Sequence, residues 1–280
     1  MTINRIYFMI TFPNCKINIG LHVLSKRADG FHSIETVFLP VKGLKDILEL
    51  KESRETEFYC TGLGSQYLTK NNLCMKAYEL LKESFQLPPV KMHLHKCIPT
   101  GAGLGGGSSD AAFTLLLLNK YFQLDISIAK LESYAASLGS DCALFIQNRL
   151  MLGKGKGDVL LPIDVADLHN KYIYIIKPNV FVKTPEAYTH IQPCSSHTSL
   201  KSLIKNPIAL WKDIIINDFE KYVFSVYPQL EELKEMFYSK GALYASMTGS
   251  GSAIYGIFNH FPDDVFLSKS HCFHWKGVIE

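Results

Sequence analysis

Alternation of apolar and polar positions sets out the first elements of the chain before any motif is considered. Ile6–Phe12 (IYFMITF) reads as a first strand, and Thr11–Val23 alternates up to a polar turn, Ser25–Gly30, with Asp-Gly at its tip. Ile34–Val41 and Ile47–Lys51 read as further strands, so the chain is strand-like to about residue 60. Asn71 or Asn72 can cap a helix that runs to Phe85 and is stopped by Pro88 and Pro89. Val90, Met92 and Leu94 mark a strand over Val90–Cys97. Asp110–Phe122 and Ile128–Leu138 read as two helices, the second closed by Gly139, and Met151–Lys156 reads as a glycine-bearing turn.

The pattern changes between about Leu160 and Asn170. Tyr172–Ile176 (YIYII) is a buried-strand candidate that restarts a β/α alternation. Thr184–His190 follows, then a Pro- and Ser-bearing loop at 193–199 and helical runs around 208–216 and 228–239. Ala242–Met247 and Ala253–Phe258 form a last pair, joined by Thr248-Gly-Ser-Gly251. These shifts predict two α+β domains, 1–165 and 166–280, with a ligand in the cleft they share.

Composition narrows the function. With 280 residues, 47% of them hydrophobic, the chain supports a substantial core, and no repeat or low-complexity segment interrupts it. A formal net charge of +3, spread over scattered lysines, argues against a nucleic-acid partner. Seven cysteines without a C-x-x-C spacing fit reduced thiols, hence a cytoplasmic protein. Ile6–Phe12 is too short for a signal core or a bilayer span, so no membrane partner is expected. Met9 could itself begin a protein, which makes the first eight residues readable as an upstream start.

The strongest chemical signal lies between the Val90 strand and the Asp110 helix. Pro99, Thr100, Gly101, Ala102 and Gly103 open it, and Leu104, Gly105, Gly106 and Gly107 carry it to Ser108 and Ser109. Five glycines in seven residues allow positive φ and leave successive N–H groups able to turn toward an anion. The helix behind them adds partial positive charge, so polyphosphate is the expected guest. A flexible linker is a poorer reading, because no polar spacer separates the loop from its apolar neighbours. Gly101, Gly103 and Gly106 also satisfy G-x-G-x-x-G, but a second helix follows where a dinucleotide fold needs a parallel strand. No Gly-Lys-Ser/Thr closes the motif, which excludes a P-loop.

Phosphoryl transfer also needs charge neutralised and an acceptor oxygen aimed. Lys16 and Asn18 share one face of a strand, backed by Gly20, and either floor a site or face solvent. Asp141 follows the Gly139 helix end among small and apolar residues, and is either a functional carboxylate or an Asx turn. Phe31 and His32 end a turn and on their own are ordinary packing residues. His93 and His95 share a strand face but lack a third metal ligand. Thr248-Gly-Ser-Gly251 either admits a ligand near the backbone or is a plain hairpin.

Three ordered motifs, Asn14–Gly20, Pro99–Ser109 and Met247–Gly251, resemble those of the GHMP small-molecule kinases. Lys16-Ile-Asn18, Arg27-Ala-Asp-Gly-Phe-His32, the long Gly-Leu-Gly-Gly-Gly-Ser-Ser loop and Gly139-Ser-Asp141 are most similar to the branch acting on a cytidyl-linked methylerythritol. The resemblance implies a two-domain α+β fold, ribosomal protein S5 domain 2-like then ferredoxin-like, with the active site in the interdomain cleft. It implies transfer of phosphate from ATP, with Mg²⁺, to the 2-hydroxyl of that substrate in non-mevalonate isoprenoid precursor synthesis. Mevalonate and homoserine are the alternative acceptors. Asp141 would take the hydroxyl proton, with Lys16 close enough to keep it ionised, and Asn18 would position the acceptor. Phe31 and Tyr188 would flank the cytosine, His32 would bond its edge, and Thr184 would lie along the substrate. Gly249 and Gly251 would border the acceptor's phosphate end. Ser108 and Ser109 both qualify for the magnesium, and the metal ligand is left open, as is the oligomeric state. The chain departs from the branch at Asp110, where small or amide residues are common, and at Cys142-Ala143, which replaces a Val-Pro or Ile-Pro pair.

Overall fold

A computed structural model describes residues 8–67, 72–263 and 272–280. Residues 1–7, on which the upstream-start reading and the beginning of the first strand fall, lie outside the described residues, as does Asn71. The chain runs through β1 (Phe8–Thr11), β2 (Asn14–Lys26), β3 (His32–Lys45), β4 (Ile47–Glu52), β5 (Glu57–Gly62), α1 (Leu73–Phe85) and β6 (Val90–Lys96). It continues through α2 (Gly106–Tyr121), α3 (Ile128–Leu138), α4 (Leu144–Gln147), β7 (Met151–Lys154), β8 (Val159–Pro162) and β9 (Tyr172–Lys177). Helices α5 (Thr184–Thr189), α6 (Leu200–Leu203), α7 (Ile208–Ile214), α8 (Phe219–Val226) and α9 (Pro228–Ser239) precede β10 (Tyr244–Met247), β11 (Ile254–Phe258) and β12 (Phe273–Val278).

Contacts divide the chain into two units. The first comprises Met1–Cys15, Lys45–Thr100 and Gly105–Asn148. Its sheet has the order β1-β4-β6-β5, with β5 parallel to β6 and the other pairs antiparallel. Along β6 the alternation is strict: Val90, Met92, Leu94 and Lys96 are buried, while Lys91, His93 and His95 are half-buried. Helix α1 begins where its cap predicts, the Asn72 side chain accepting from the Cys74 N–H at 2.8 Å. Ser127 caps α3 in the same way. Helix α2 packs through Ala111, Ala112, Leu115 and Leu118, all fully buried, and the small residues allow close approach.

The second unit comprises Lys16–Leu44, Gly101–Leu104 and Arg149–Glu280. It holds two four-stranded sheets, β2-β3-β7-β8 and β10-β11-β9-β12. Counted along the chain, the latter has the order second-third-first-fourth with antiparallel neighbours, as in ferredoxin-like folds. Phe219 and Val223 of α8 and Leu230, Leu233 and Phe237 of α9 form a core with Tyr174, Met247 and Ile254. Both faces of β2 are buried from Asn14 to Val23, so the alternation there separates two interiors rather than interior from water.

Helix α2 and strand β7 differ from their sequence expectation. Helix α2 starts at Gly106, four residues before the expected Asp110, because a first turn tolerates glycine where a helix interior does not. Met151–Lys156 is a strand, β7, running into a turn, with Gly153 packed on the Phe38 ring. Among the described residues, no helix is long and apolar enough to cross a membrane.

Candidate active site

The glycine motif reaches α2 through a left-handed residue. Gly105 is its N-cap at φ +70°. The Ser109 N–H donates to Gly105 O at 2.9 Å, which leaves the N–H groups of Gly106, Gly107 and Ser108 ahead of the first intrahelical bond. These donors and the helix dipole suit an anion. Gly103, at φ +76°, passes so close to the 248–251 turn that a Cβ there would lie 2.1 Å from Thr248 O. Backbone bonds fix this segment within the second unit: Lys16 N–H donates to Leu104 O at 2.9 Å and Ala253 N–H to Ala102 O at 3.1 Å.

Parts of the three motifs singled out in the sequence, Lys16–Gly20, Gly101–Leu104 and Met247–Gly251, meet inside that unit. Lys16 and Asn18 are only 3% and 2% exposed, which removes the solvent-facing reading. Lys16 Nζ donates to Asn18 Oδ1 at 2.6 Å and to Gly103 O at 2.9 Å. Asn18 Nδ2 donates to Thr36 Oγ1 at 3.0 Å, and the Asn18 N–H donates to Thr248 Oγ1 at 3.0 Å. The Thr248 hydroxyl lies 3.2 Å from both Asn18 Oδ1 and Gly103 O. Asn217 Nδ2 donates to Met247 O and Gly249 O, each at 2.8 Å, and so braces the turn that carries Thr248. A buried ammonium, an amide and a backbone carbonyl of the glycine motif are thus one hydrogen-bonded network.

In the first unit, half-buried Asp141 stands in the turn between α3 and α4, where the Cys142 N–H donates to Gly139 O at 3.1 Å. Cys142 and Ala143, in place of the expected Val-Pro or Ile-Pro pair, lead directly into α4. Burial pushes the Cys142 thiol up to about 12, and a bond to the Ser108 side chain ties α2's first turn to this turn. Of the two hydroxyls, Ser108 is half-buried, whereas Ser109 is fully buried and its Oγ has no hydrogen-bond partner.

The aromatic residues expected at the cytosine lie at the start of β3 and on α5. Phe31 is 57% exposed on the turn between β2 and β3, with Lys156 Nζ 4.8 Å from its ring centroid. Tyr188 stacks instead on His32, with centroids 4.9 Å apart and planes 22° apart, and meets Phe219 edge-on. Burial, aided by Lys26, lowers the His32 pKa and favours a neutral ring. Thr184 Oγ1 lies 2.7 Å from Ser250 Oγ, beside a cavity of about 580 Å³ lined by Gly101, Phe181, Thr184 and Gly251 among others. His93 and His95 both face the Thr61 hydroxyl at 2.9 Å.

A buried charge cluster escaped the sequence reading. Lys96, Asp46 and Asp110 are nearly inaccessible; Lys96 Nζ donates to Asp46 Oδ2 and, at 2.6 Å, to Asp110 Oδ2. Asp110 therefore turns to Lys96. Burial, opposed by Lys96 and reinforced by Asp46, pushes the Asp110 carboxyl up. Burial pulls Lys96 down, but its two carboxylates outweigh this and its pKa is raised. The signal was in the pattern: continuing the 90, 92, 94 alternation by one step puts Lys96 on the buried face.

Family models bear on the class. That of the GHMP kinases N terminal domain matches residues 72–148 and that of the GHMP kinases C terminal matches 199–275. The chain belongs to the GHMP kinases, small-molecule phosphotransferases with ATP as phosphoryl donor. Among curated relatives it is 49% identical to the 4-diphosphocytidyl-2-C-methyl-D-erythritol kinase of Cytophaga hutchinsonii, over 94% of this chain and 97% of that one. The kinase of the same name from Bacteroides thetaiotaomicron is 50% identical over 97% of this chain and all of its own. A crystal structure of 4-(cytidine 5'-diphospho)-2C-methyl-D-erythritol kinase aligns with a TM-score of 0.78 and 27% identity, covering 96% of this chain and 98% of that one.

Proposed function

We propose that this kinase transfers the γ-phosphoryl group of ATP to the 2-hydroxyl of 4-diphosphocytidyl-2-C-methyl-D-erythritol, giving the 2-phosphate and ADP in non-mevalonate isoprenoid precursor synthesis. The observation that carries the reading is the buried network joining Lys16, Asn18, Gly103 and Thr248, in a chain half identical to kinases of that name. The Asp141 carboxylate takes the hydroxyl proton, the freed oxygen forms a bond to the γ-phosphorus, and the β–γ bridging bond breaks as ADP leaves. Lys16 stabilises the charge that develops, and Asn18 orients the acceptor. The amides of Gly106, Gly107 and Ser108 hold the donor phosphates. Phe31, His32, Thr184 and Tyr188 receive the cytidine side of the acceptor, and Gly249 and Gly251 its phosphates.

Magnesium would neutralise donor phosphate charge. Among the described residues no three His, Cys, Asp or Glu side chains form a metal cluster, which suits an ion held mainly by phosphates and water. The half-buried Ser108 hydroxyl fits as its protein ligand better than the buried Ser109. The family models fall on either side of the expected division near residue 165, whereas contacts group 16–44 and 149–165 with the second unit. The cysteines form no disulfide among the described residues, which supports a cytoplasmic location.

The test is ADP release by the purified chain with the cytidyl substrate, mevalonate and homoserine offered in parallel. Only the first should be phosphorylated; comparable turnover of either other alcohol refutes the acceptor. Asp141→Asn should fold and lose about 10²–10⁴ in kcat, and near-normal turnover would remove Asp141 from the role of base.

A further inference from the structure

The chemistry proposed above makes no use of Lys96, Asp46 or Asp110, yet burying three ionisable side chains together is costly unless each is held. Each is attached to the glycine motif at a different point. Lys96 ends β6, the strand that runs into Pro99. Asp46 Oδ1 accepts from the N–H groups of Cys97 at 2.6 Å and Ile98 at 2.8 Å, the two residues just before Pro99. Asp110 lies one turn into α2, the helix that leaves the motif. The Lys96 ammonium bonds both carboxylates and so bridges the entering strand and the departing helix. It also lies under the helix start: a Cβ at Gly106 would sit 3.4 Å from Lys96 Nζ and 3.0 Å from Ile98 Cγ2. Asp110 Oδ1 is buried without a hydrogen-bond partner, so the link through Oδ2 to Lys96 orients that carboxylate. Between these ends Ala102 and Leu104 are held by backbone bonds from Ala253 and Lys16, while Gly105, Gly106 and Gly107 have no side chain with which to set their own span.

We infer that Asp46, Lys96 and Asp110 are a positioning triad that fixes the span of the phosphate-holding segment, and so govern affinity for the donor nucleotide without touching it. The inference rests on the reading of that segment as the nucleotide's phosphate site. Loss of the bridge lets strand end and helix start drift, and amides that converge on phosphate lose their common focus.

Two variants test it. Asp110→Leu removes the bridge, and Asp110→Asn keeps the shape but weakens it. KM is measured for ATP and for the acceptor separately, at a temperature where circular dichroism shows folded protein. Hydrogen exchange of residues 101–107 is followed with and without ATP and Mg²⁺. The Leu variant should raise KM for ATP about tenfold and the Asn variant less, with KM for the acceptor unchanged within about twofold. Both should show weaker nucleotide-dependent protection of residues 101–107. Folded variants that melt earlier but keep the wild-type KM for ATP overturn the inference, since the triad would then serve stability alone. If the Leu variant does not fold, the Asn variant decides by the same criterion. A wild-type protein whose 101–107 amides gain no protection from ATP and Mg²⁺ refutes the phosphate-site reading, and the triad's role with it, before any variant is compared.

Discussion

His22 is buried, and neither ring nitrogen has a hydrogen-bond partner. Its ring stacks on His197 at 4.1 Å, and His197 Nε2 lies 3.1 Å from Asp218 Oδ2. Burial, with His197 adding to it, lowers the His22 pKa from 6.5; Asp218 and Glu35 oppose the shift without reversing it. The sign of the stability effect follows. Below about pH 6.5 the unfolded chain binds a proton at His22 that the folded chain resists, so stability rises with pH and is lost as pH falls beneath that value. His22→Phe keeps an aromatic ring on His197 and removes the titration. It should flatten the dependence of Tm on pH between about 5 and 6.5, and an unchanged slope would assign the acid sensitivity to other groups.

At the scale of elements, the segment from Gly101 to Gly107 predicts opposite signs for two alanine substitutions. Gly103 has positive φ, and a Cβ there would overlap the backbone oxygen of Thr248, which cannot rotate away. Gly103→Ala should cost at least about 1–2 kcal/mol from left-handed strain alone, with displacement of the 248–251 turn in addition. Gly107 lies in the first turn of α2, and a Cβ there meets only Leu73 Cδ1 at 3.9 Å. Gly107→Ala should be neutral or stabilising, by up to about 1 kcal/mol, since alanine is the better helix former. Denaturant midpoints of the two variants check this, and equal losses would contradict the close approach at Gly103. The same segment shows what was legible beforehand. The glycine pattern, the Asn72 cap and the β6 alternation were readable because each is a local rule. The early start of α2 was not, since glycine scores against helix although a first turn bears it. Strand β12 is not legible because its residues, Phe273–Val278, are half-buried or exposed and follow neither period at the end of its sheet. In the candidate site, Lys16, Asn18 and Thr248 came from motifs. The stacking of His32 on Tyr188 joins residues far apart in the chain, and no local rule encodes it.

For the whole molecule the decisive quantity is which nucleotide the folded chain prefers. The G-x-G-x-x-G spacing within the glycine motif is shared with dinucleotide folds, so the pattern alone leaves two ligand classes open. Ligand linkage separates them, because only a ligand that binds the native state raises Tm. At a concentration 100-fold above Kd, ATP with Mg²⁺ should add about 2.7 kcal/mol, or roughly 5–10 °C for a chain of this size. NADH at the same concentration should give no comparable shift. Charge attraction to a chain of formal net charge +3 cannot produce that contrast. The two ligands carry similar net charge, and a non-specific effect would raise Tm for both and fade with added salt. A shift of equal size with NADH, or none with ATP and Mg²⁺, would therefore count against the site and not merely against its strength.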